Sequence, residues 1–282
     1  VATTALDQDW SIYRAYTSVD NAEEGTENTA FDDGVEDFDT WSGGRDLVSA
    51  NEAWHIACYA DDTDVSTLDI NGWTTARDNY LRVFAPRFSD TVGTSQSHNG
   101  IGGIGGSGYM LASTDWNQIY IYSDVDFVRI EGLCIIGADP NVRSGIAIQT
   151  RSGDHEIIIK RNIIYRAVLG NNSAIGIQYE SGSYATGGWV SICNNIIYDL
   201  DSTGNNRGIQ IPGYNTVYIY NNTFMDINGR GVYTSGTNQV TINNIALNCS
   251  DGSFVAWAGN WSPVSDYNIA DDGTAPGSNS IN

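Results

Sequence analysis

The sequence predicts an all-β fold, a parallel β-helix in which the chain winds through stacked coils of short strands. One observation is a ten-residue β-pattern that recurs five times, and another is a short β-run, led by Gly in four of the five coils, that follows each copy. The composition agrees, since 31 Gly and only 5 Pro accompany many Tyr and Trp and few helix-forming residues. Self-similarity at this period, with no room for a helix in each repeat, is typical of a β-solenoid.

The repeated pattern is V-x-I-x-x-N-x-I, with apolar residues at the first, third and eighth places. Its copies begin at Val128, Ile157, Val190, Val217 and Val240. The second runs begin at Gly145, Gly176, Gly208 and Gly231, and more weakly at Ser253. We expect one coil per repeat, equivalent strands stacked about 4.8 Å apart, alternate side chains pointing inward, and a sharp turn at each Gly.

The remaining sequence predicts one domain with an irregular N-terminal cap. Residues 1–45 are acidic and should cover the open end of the coils, because an uncovered sheet end invites association. Residues 46–270 should form the β-helix, with β-runs at 53–61, 65–72 and 79–86 as its first coils. Residues 271–282 are polar and predict a linker or tail. A separate N-terminal module is the alternative.

The V-x-I-x-x-N-x-I element and its Gly-Ile strand resemble the repeat of right-handed parallel β-helix proteins, the pectin-lyase-like superfamily, over roughly residues 117–258. The resemblance implies a right-handed solenoid. It implies less about function, because that fold hosts polysaccharide lyases, glycoside hydrolases, viral tailspikes and surface proteins. Trp54–Tyr59 and Ile70–Thr75 are also similar to β-helix segments of phage structural proteins and large secreted bacterial proteins.

Charge and composition exclude several partners. A net charge of −21 argues against binding nucleic-acid phosphate or an anionic membrane surface. No apolar stretch approaches 18 residues, so we expect no membrane insertion. The carboxylates permit Ca²⁺ binding, and the acidity suits either Asp-containing turns or high salt. The four Cys are far apart, which predicts free thiols and no zinc site.

Residues at one place in the repeat should stack in successive coils. The sixth place holds Asn162, Asn195 and Asn222, with Leu133 and Ile245 at the ends. This column predicts an asparagine ladder whose side chains pair with buried backbone groups.

The tenth place holds Arg166, Asp199 and Asp226 in consecutive coils. Turns are the favoured interpretation, because Asp bonds its own backbone. Two alternatives remain: Asp199 and Asp226 as Ca²⁺ ligands, or all three as weak candidates for catalysis in which two close carboxylates split their pKa values. At the ninth place, Tyr165 and Tyr198 predict either ordinary packing or a glycan-stacking platform.

The sequence favours a non-catalytic structural or glycan-interacting β-helix protein of a virion (a fibre, spike or decoration protein) or of an extracellular surface. The catalytic motifs of polygalacturonase-like hydrolases are missing as an ordered set, and the loops between the last coils are short. The alternatives are a polysaccharide lyase or glycoside hydrolase, and a calcium-dependent glycan-binding module. The expected partners are a polysaccharide and other copies of the chain, as a trimer by analogy with viral spikes.

Overall fold

A computed structural model of the chain describes residues 14–30, 43–88, 95–102, 106–149, 153–166, 173–180, 187–213, 216–236, 239–257 and 261–282. Within these residues the strands form three sheets of seven, eight and seven strands, and every strand pair is parallel. The predicted all-β parallel β-helix is confirmed.

Each of the first seven coils contributes one strand to each sheet, and an eighth strand is added to sheet 2 alone. Sheet 1 contains β1 (Trp54–Ala57), β4 (Leu81–Phe84), β7 (Phe127–Glu131), β10 (Glu156–Lys160), β13 (Trp189–Cys193), β16 (Val217–Tyr220) and β19 (Gln239–Ile242). Sheet 2 contains β2 (Thr63–Asp64), β5 (Met110–Leu111), β8 (Cys134–Gly137), β11 (Ile163–Arg166), β14 (Ile196–Leu200), β17 (Thr223–Ile227), β20 (Ile245–Cys249) and β22 (Ile269–Ala270). Sheet 3 contains β3 (Leu68–Ile70), β6 (Asn117–Ile121), β9 (Ser144–Ile148), β12 (Ile175–Tyr179), β15 (Asn206–Ile211), β18 (Gly229–Thr234) and β21 (Phe254–Ala256).

The register of sheet 1 follows the repeat in four copies and departs from it in the fifth. Ile157 pairs with both Val128 and Val190, as the pattern predicts. In the last coil, however, Gln239 pairs with Val217, so the fifth copy begins one residue earlier than the apolar pattern indicated. Gln239 is buried and Val240 is only half-buried. The assignment of Val240 as the first place was therefore wrong.

The asparagine ladder explains this shift. Asn162, Asn195 and Asn222 form the predicted column, and Asn244 and Asn268 extend it in place of Ile245. Each amide oxygen accepts from the backbone N–H of the preceding member, at 2.9–3.1 Å. The ladder residues are almost completely buried. Because an unpaired buried amide is costly, keeping Asn244 in the ladder outweighs burying Val240.

The glycines of sheet 3 have a different role from the predicted turns. Gly145, Gly176, Gly208 and Gly231 lie inside strands, and none of them has a positive φ. A Cβ on Gly176 would lie 2.7 Å from Ile197 Cγ2 and 2.6 Å from the Gly208 oxygen. The missing side chains therefore let the core residues of sheet 2 approach sheet 3 closely.

Described segments pack against the outermost strands at each end of the coil stack. The helix α1 (Val19–Glu24) contacts β3 and buries Val19 and Ala22, and the helix α2 (Leu47–Ala50) buries Leu47. Within the described residues, none of the helices has the length and apolarity to cross a membrane. At the other end, residues 271–282 bond back to the last coil, where the Ala270 N–H donates to the Ile281 oxygen at 2.9 Å.

Candidate functional site

The predicted tenth-place column lies on the outer surface of sheet 2. Asp199 and Asp226 are exposed and have left-handed φ angles of 52° and 54°, and Asn248 continues the column at 55°. Asp226 Oδ1 accepts a hydrogen bond from Asn248 Nδ2 at 2.9 Å. Asp and Asn tolerate this backbone conformation better than most residues, so the column has a local structural reason.

The electrostatics of this column are those of two interacting carboxylates. Partial burial and the neighbouring Asp226 raise the pKa of Asp199. Arg166 is 7% exposed, and its Nη2 donates to the Pro140 oxygen at 2.7 Å. Asp199 and Asp226 therefore interact with each other, whereas the Arg166 guanidinium binds a turn carbonyl. Among the described residues, no group of three or more acidic, His or Cys side chains could hold a metal ion.

The predicted tyrosine pair is a stack. The Tyr165 and Tyr198 rings are 5.2 Å apart between centroids and 9° from parallel. Tyr165 is only 9% exposed, and a Cβ on Gly102 would lie 2.6 Å from both Tyr165 Cε1 and Tyr198 Oη. Gly102 therefore lies against both rings, and Tyr165 offers little exposed ring surface to a sugar.

A second surface lies on the outer face of sheet 1. Its first half, which we name the basic patch, is a network of cations around two buried carboxylates. The patch consists of Arg77, Arg82, Arg129, Glu131, Glu156, Lys160 and Arg161.

Glu131 lies at the centre of the basic patch and is 2% exposed. It accepts from Arg82 Nη2 at 2.8 Å, from Arg161 Nη2 at 3.0 Å and from Lys160 Nζ at 3.1 Å. Burial alone would raise the pKa of Glu131, but the hydrogen bonds from Arg82 and Lys160 hold it below its ordinary value. The carboxylate stays ionised and fixes three cations on one face.

Aromatic rings hold the cations of the basic patch from the other side. The Arg129 guanidinium lies 3.6 Å from the Tyr80 ring centroid, and the Arg82 guanidinium lies 4.0 Å from that of Phe84. Burial first, and then nearby Arg82 and Arg129, lower the pKa of His55, which stacks beside Tyr80 at 5.3 Å. Ion pairs and aromatic rings thus hold Arg82, Arg129 and Lys160 on the adjacent strands β4, β7 and β10.

The second half of this face is the aromatic patch, formed by Trp189, Tyr218 and Tyr220. Tyr218 lies 6.2 Å from Trp189 in an edge-on arrangement and 5.8 Å from Tyr220 in a stacked one. All three side chains are half-buried. The alternating "VYIY" of β16 contains the signal, because its second and fourth residues must face outward once the first and third are buried.

Comparison of the chain with protein-family models, with curated proteins and with solved structures found no match.

Proposed function

We propose that the protein is a non-catalytic structural β-helix protein of an extracellular surface or a virion, and that it binds a glycan on the outer face of sheet 1. The observation that carries this proposal is the aromatic patch of Trp189, Tyr218 and Tyr220 beside the basic patch. The two surfaces are continuous, because β10 and β13 are neighbours in the sheet.

The chemistry of the aromatic patch suits a sugar. Tyr and Trp offer large, stiff apolar faces with a polar tip, which match the C–H faces and hydroxyls of a pyranose. Half-burial fixes the rings before a ligand arrives, so binding costs little side-chain entropy. Tyr218 and Tyr220 lie on one strand and Trp189 lies on the strand of the neighbouring coil, so the aromatic patch spans two coils and suits a sugar chain that crosses them.

The rest of the fold supports a structural role. The asparagine ladder connects five coils through buried side chains. The carboxylates of the tenth place occupy left-handed bends, and Arg166 binds a turn carbonyl. A stiff solenoid of this kind is suited to hold a binding face in a fixed position.

Affinity electrophoresis tests the proposal, with gels that contain dextran, xylan, alginate or polygalacturonate. We expect at least one polysaccharide to retard the wild-type chain, and Tyr218→Ala and Trp189→Ala to abolish the retardation. Trp257→Ala is the matched control, because Trp257 is 71% exposed and lies outside the aromatic patch. Equal retardation of all variants, or none for the wild type on any polysaccharide, contradicts the proposal.

The lyase or hydrolase alternative has one observation in its favour, the interacting pair Asp199 and Asp226. Its test is incubation with alginate and polygalacturonate, with the ultraviolet absorbance of unsaturated products and new reducing ends as readouts. Turnover that Asp226→Asn abolishes would replace the non-catalytic proposal. For the calcium-dependent alternative, retardation that disappears with a chelator and returns with Ca²⁺ is the corresponding result.

A further inference from the structure

The outer face of sheet 3 brings positive charges together in a strongly acidic protein. Arg207 on β15 and Arg230 on β18 are paired in register on adjacent strands. Their guanidinium carbons lie 4.7 Å and 4.9 Å from the centroid of one ring, that of Tyr233. The two like charges therefore share one aromatic support on a half-buried surface.

A third arginine lies near this pair. Arg143 precedes β9, two coils away, and its guanidinium carbon lies 5.6 Å from the ring centroid of Trp116. Burial lowers the pKa of Arg207, and Arg230 and Arg143 lower it further. The Arg207 guanidinium thus lies close enough to the other two to be repelled by both, and the rings of Tyr233 and Trp116 border the three arginines.

None of these arginines forms an ion pair with a carboxylate of the residues that the structure describes. Within the described part of the chain, no carboxylate oxygen lies within 4.0 Å of the guanidinium nitrogens of Arg143, Arg207 or Arg230. Seven other basic side chains in the same residues do form ion pairs. They are Arg14, Arg45, Arg77, Arg82, Arg129, Lys160 and Arg161.

The nearby sequence and the hydrogen bonds of these arginines also differ from those of the ion-paired basic side chains. The stretches between residues 150 and 260 that the structure does not describe contain no Asp or Glu. In the described residues, the Nε atoms of Arg207 and Arg230 are buried without a hydrogen-bond partner, and Arg207 Nη1 donates to Gln210 Oε1 at 2.7 Å. A pair of close, partly desolvated like charges costs stability, and a bound anion would remove that cost.

We propose that Arg207, Arg230 and Tyr233 form a binding site for a sulfate or phosphate group. Each guanidinium donates through a planar fork, and one fork occupies both oxygens of a carboxylate. A tetrahedral oxyanion has enough oxygens to accept from both guanidiniums at once. Arg143 and Trp116 extend the site along sheet 3, so a sulfated or phosphorylated sugar fits better than the free ion alone.

The test is isothermal calorimetry at constant ionic strength with four probes: inorganic sulfate, inorganic phosphate, a heparin-derived sulfated oligosaccharide and an oligogalacturonate of similar length. We expect the sulfated oligosaccharide to bind more tightly than the oligogalacturonate. Arg207→Gln and Arg230→Gln should weaken binding tenfold or more, because hydrogen bonds to charged groups are the strong ones. Arg87→Gln should bind as the wild type does, since Arg87 is exposed and lies away from this site.

Two further variants separate binding from folding. Arg230→Lys keeps the charge but loses the fork, so its affinity should fall while its stability is unchanged. Without ligand, Arg230→Gln should be at least as stable as the wild type, because it removes a like-charge contact. Equal affinity of Arg207→Gln, Arg230→Gln and Arg87→Gln, or preference for the oligogalacturonate, overturns the proposal. If inorganic sulfate and phosphate bind but the sulfated oligosaccharide does not, the site serves the free ion.

This site is independent of the glycan face proposed above. Because Trp189 lies on sheet 1, Trp189→Ala should leave the binding of sulfate unchanged. Arg230→Gln should likewise leave the electrophoretic retardation by neutral polysaccharides unchanged. Failure of one proposal therefore does not decide the other.

Discussion

Removing one member of the asparagine ladder should destabilise the protein by several kcal/mol, although it changes only one side chain. Asn195 is the informative position because it lies between two other ladder residues. Its Nδ2 donates to the Ile159 oxygen and to Asn222 Oδ1, both at 3.0 Å. Its Oδ1 accepts from the Asn162 N–H at 2.9 Å and from Asn162 Nδ2 at 3.1 Å.

The magnitude follows from the groups that lose partners in Asn195→Ala. The buried Asn162 N–H is left unpaired, which costs about 1–3 kcal/mol. The Ile159 and Asn222 oxygens each lose one donor, worth about 0.5–1.5 kcal/mol apiece. We therefore expect a loss of about 2–6 kcal/mol in the free energy of unfolding.

Urea unfolding is the assay, combined with hydrogen exchange because solenoids can open locally. Protection should fall most in β10 and β13, which flank the missing amide. Asn205→Ala is the matched control, because Asn205 is exposed and lies outside the ladder; it should change stability by less than about 0.5 kcal/mol. If Asn195→Ala is no more destabilising than Asn205→Ala, the ladder does not stabilise the coils.

Three other predictions concern a glycine in the core and the buried carboxylates of Glu23 and Glu131. Gly208→Ala should lower the free energy of unfolding by about 1–3 kcal/mol, because its Cβ would lie 2.5 Å from the Gly231 oxygen. Gly137→Ala should cost less, because the nearest atom to its Cβ would be Arg166 Cγ at 3.1 Å and the nearest backbone atom would be at 3.6 Å; urea unfolding compares the two variants. Burial raises the pKa of Glu23 to about 7, so the packing of α1 should weaken as pH rises from about 4.5 through about 7. The rate of proteolysis within residues 14–30 should rise over the same pH range, and Glu23→Gln should remove this pH dependence. The pKa of Glu131 is lowered, so the stability that its ionised carboxylate contributes is present above the ordinary pKa of Glu and is lost in more acidic solution. Glu131→Gln should therefore lower the free energy of unfolding by about 3–5 kcal/mol at neutral pH, as measured by thermal unfolding. Equal stability of the wild type and the variant at neutral pH would refute the role of the network.

The sequence predicted the coils well because each repeat contains the residue pattern that specifies its own strands and turns. Alternating apolar residues set which side of a strand faces inward, and one Asn per coil marks the ladder. These signals are local in sequence, so they can be read without knowing which strands are neighbours. The register of the last coil could not be read this way, since Val240 and Ile242 mimic the apolar pattern one residue out of place.

The candidate surfaces depend on contacts between coils, and sequence patterns indicate these only in part. Residue order placed Arg166, Asp199 and Asp226 in consecutive coils. It did not show that Arg82 and Arg161 both contact Glu131, because Arg82 lies in the irregular first coils.

By itself, then, the sequence determined the fold, the ladder and the stacking of equivalent residues, since each depends on a period along one chain. Only the tertiary structure decided which outward side chains meet. It places Trp189 next to Tyr218 on one face and Arg207 next to Arg230 on another. The physical reason is that side-chain orientation and pairing across coils, with loops of unequal length between them, fix such contacts.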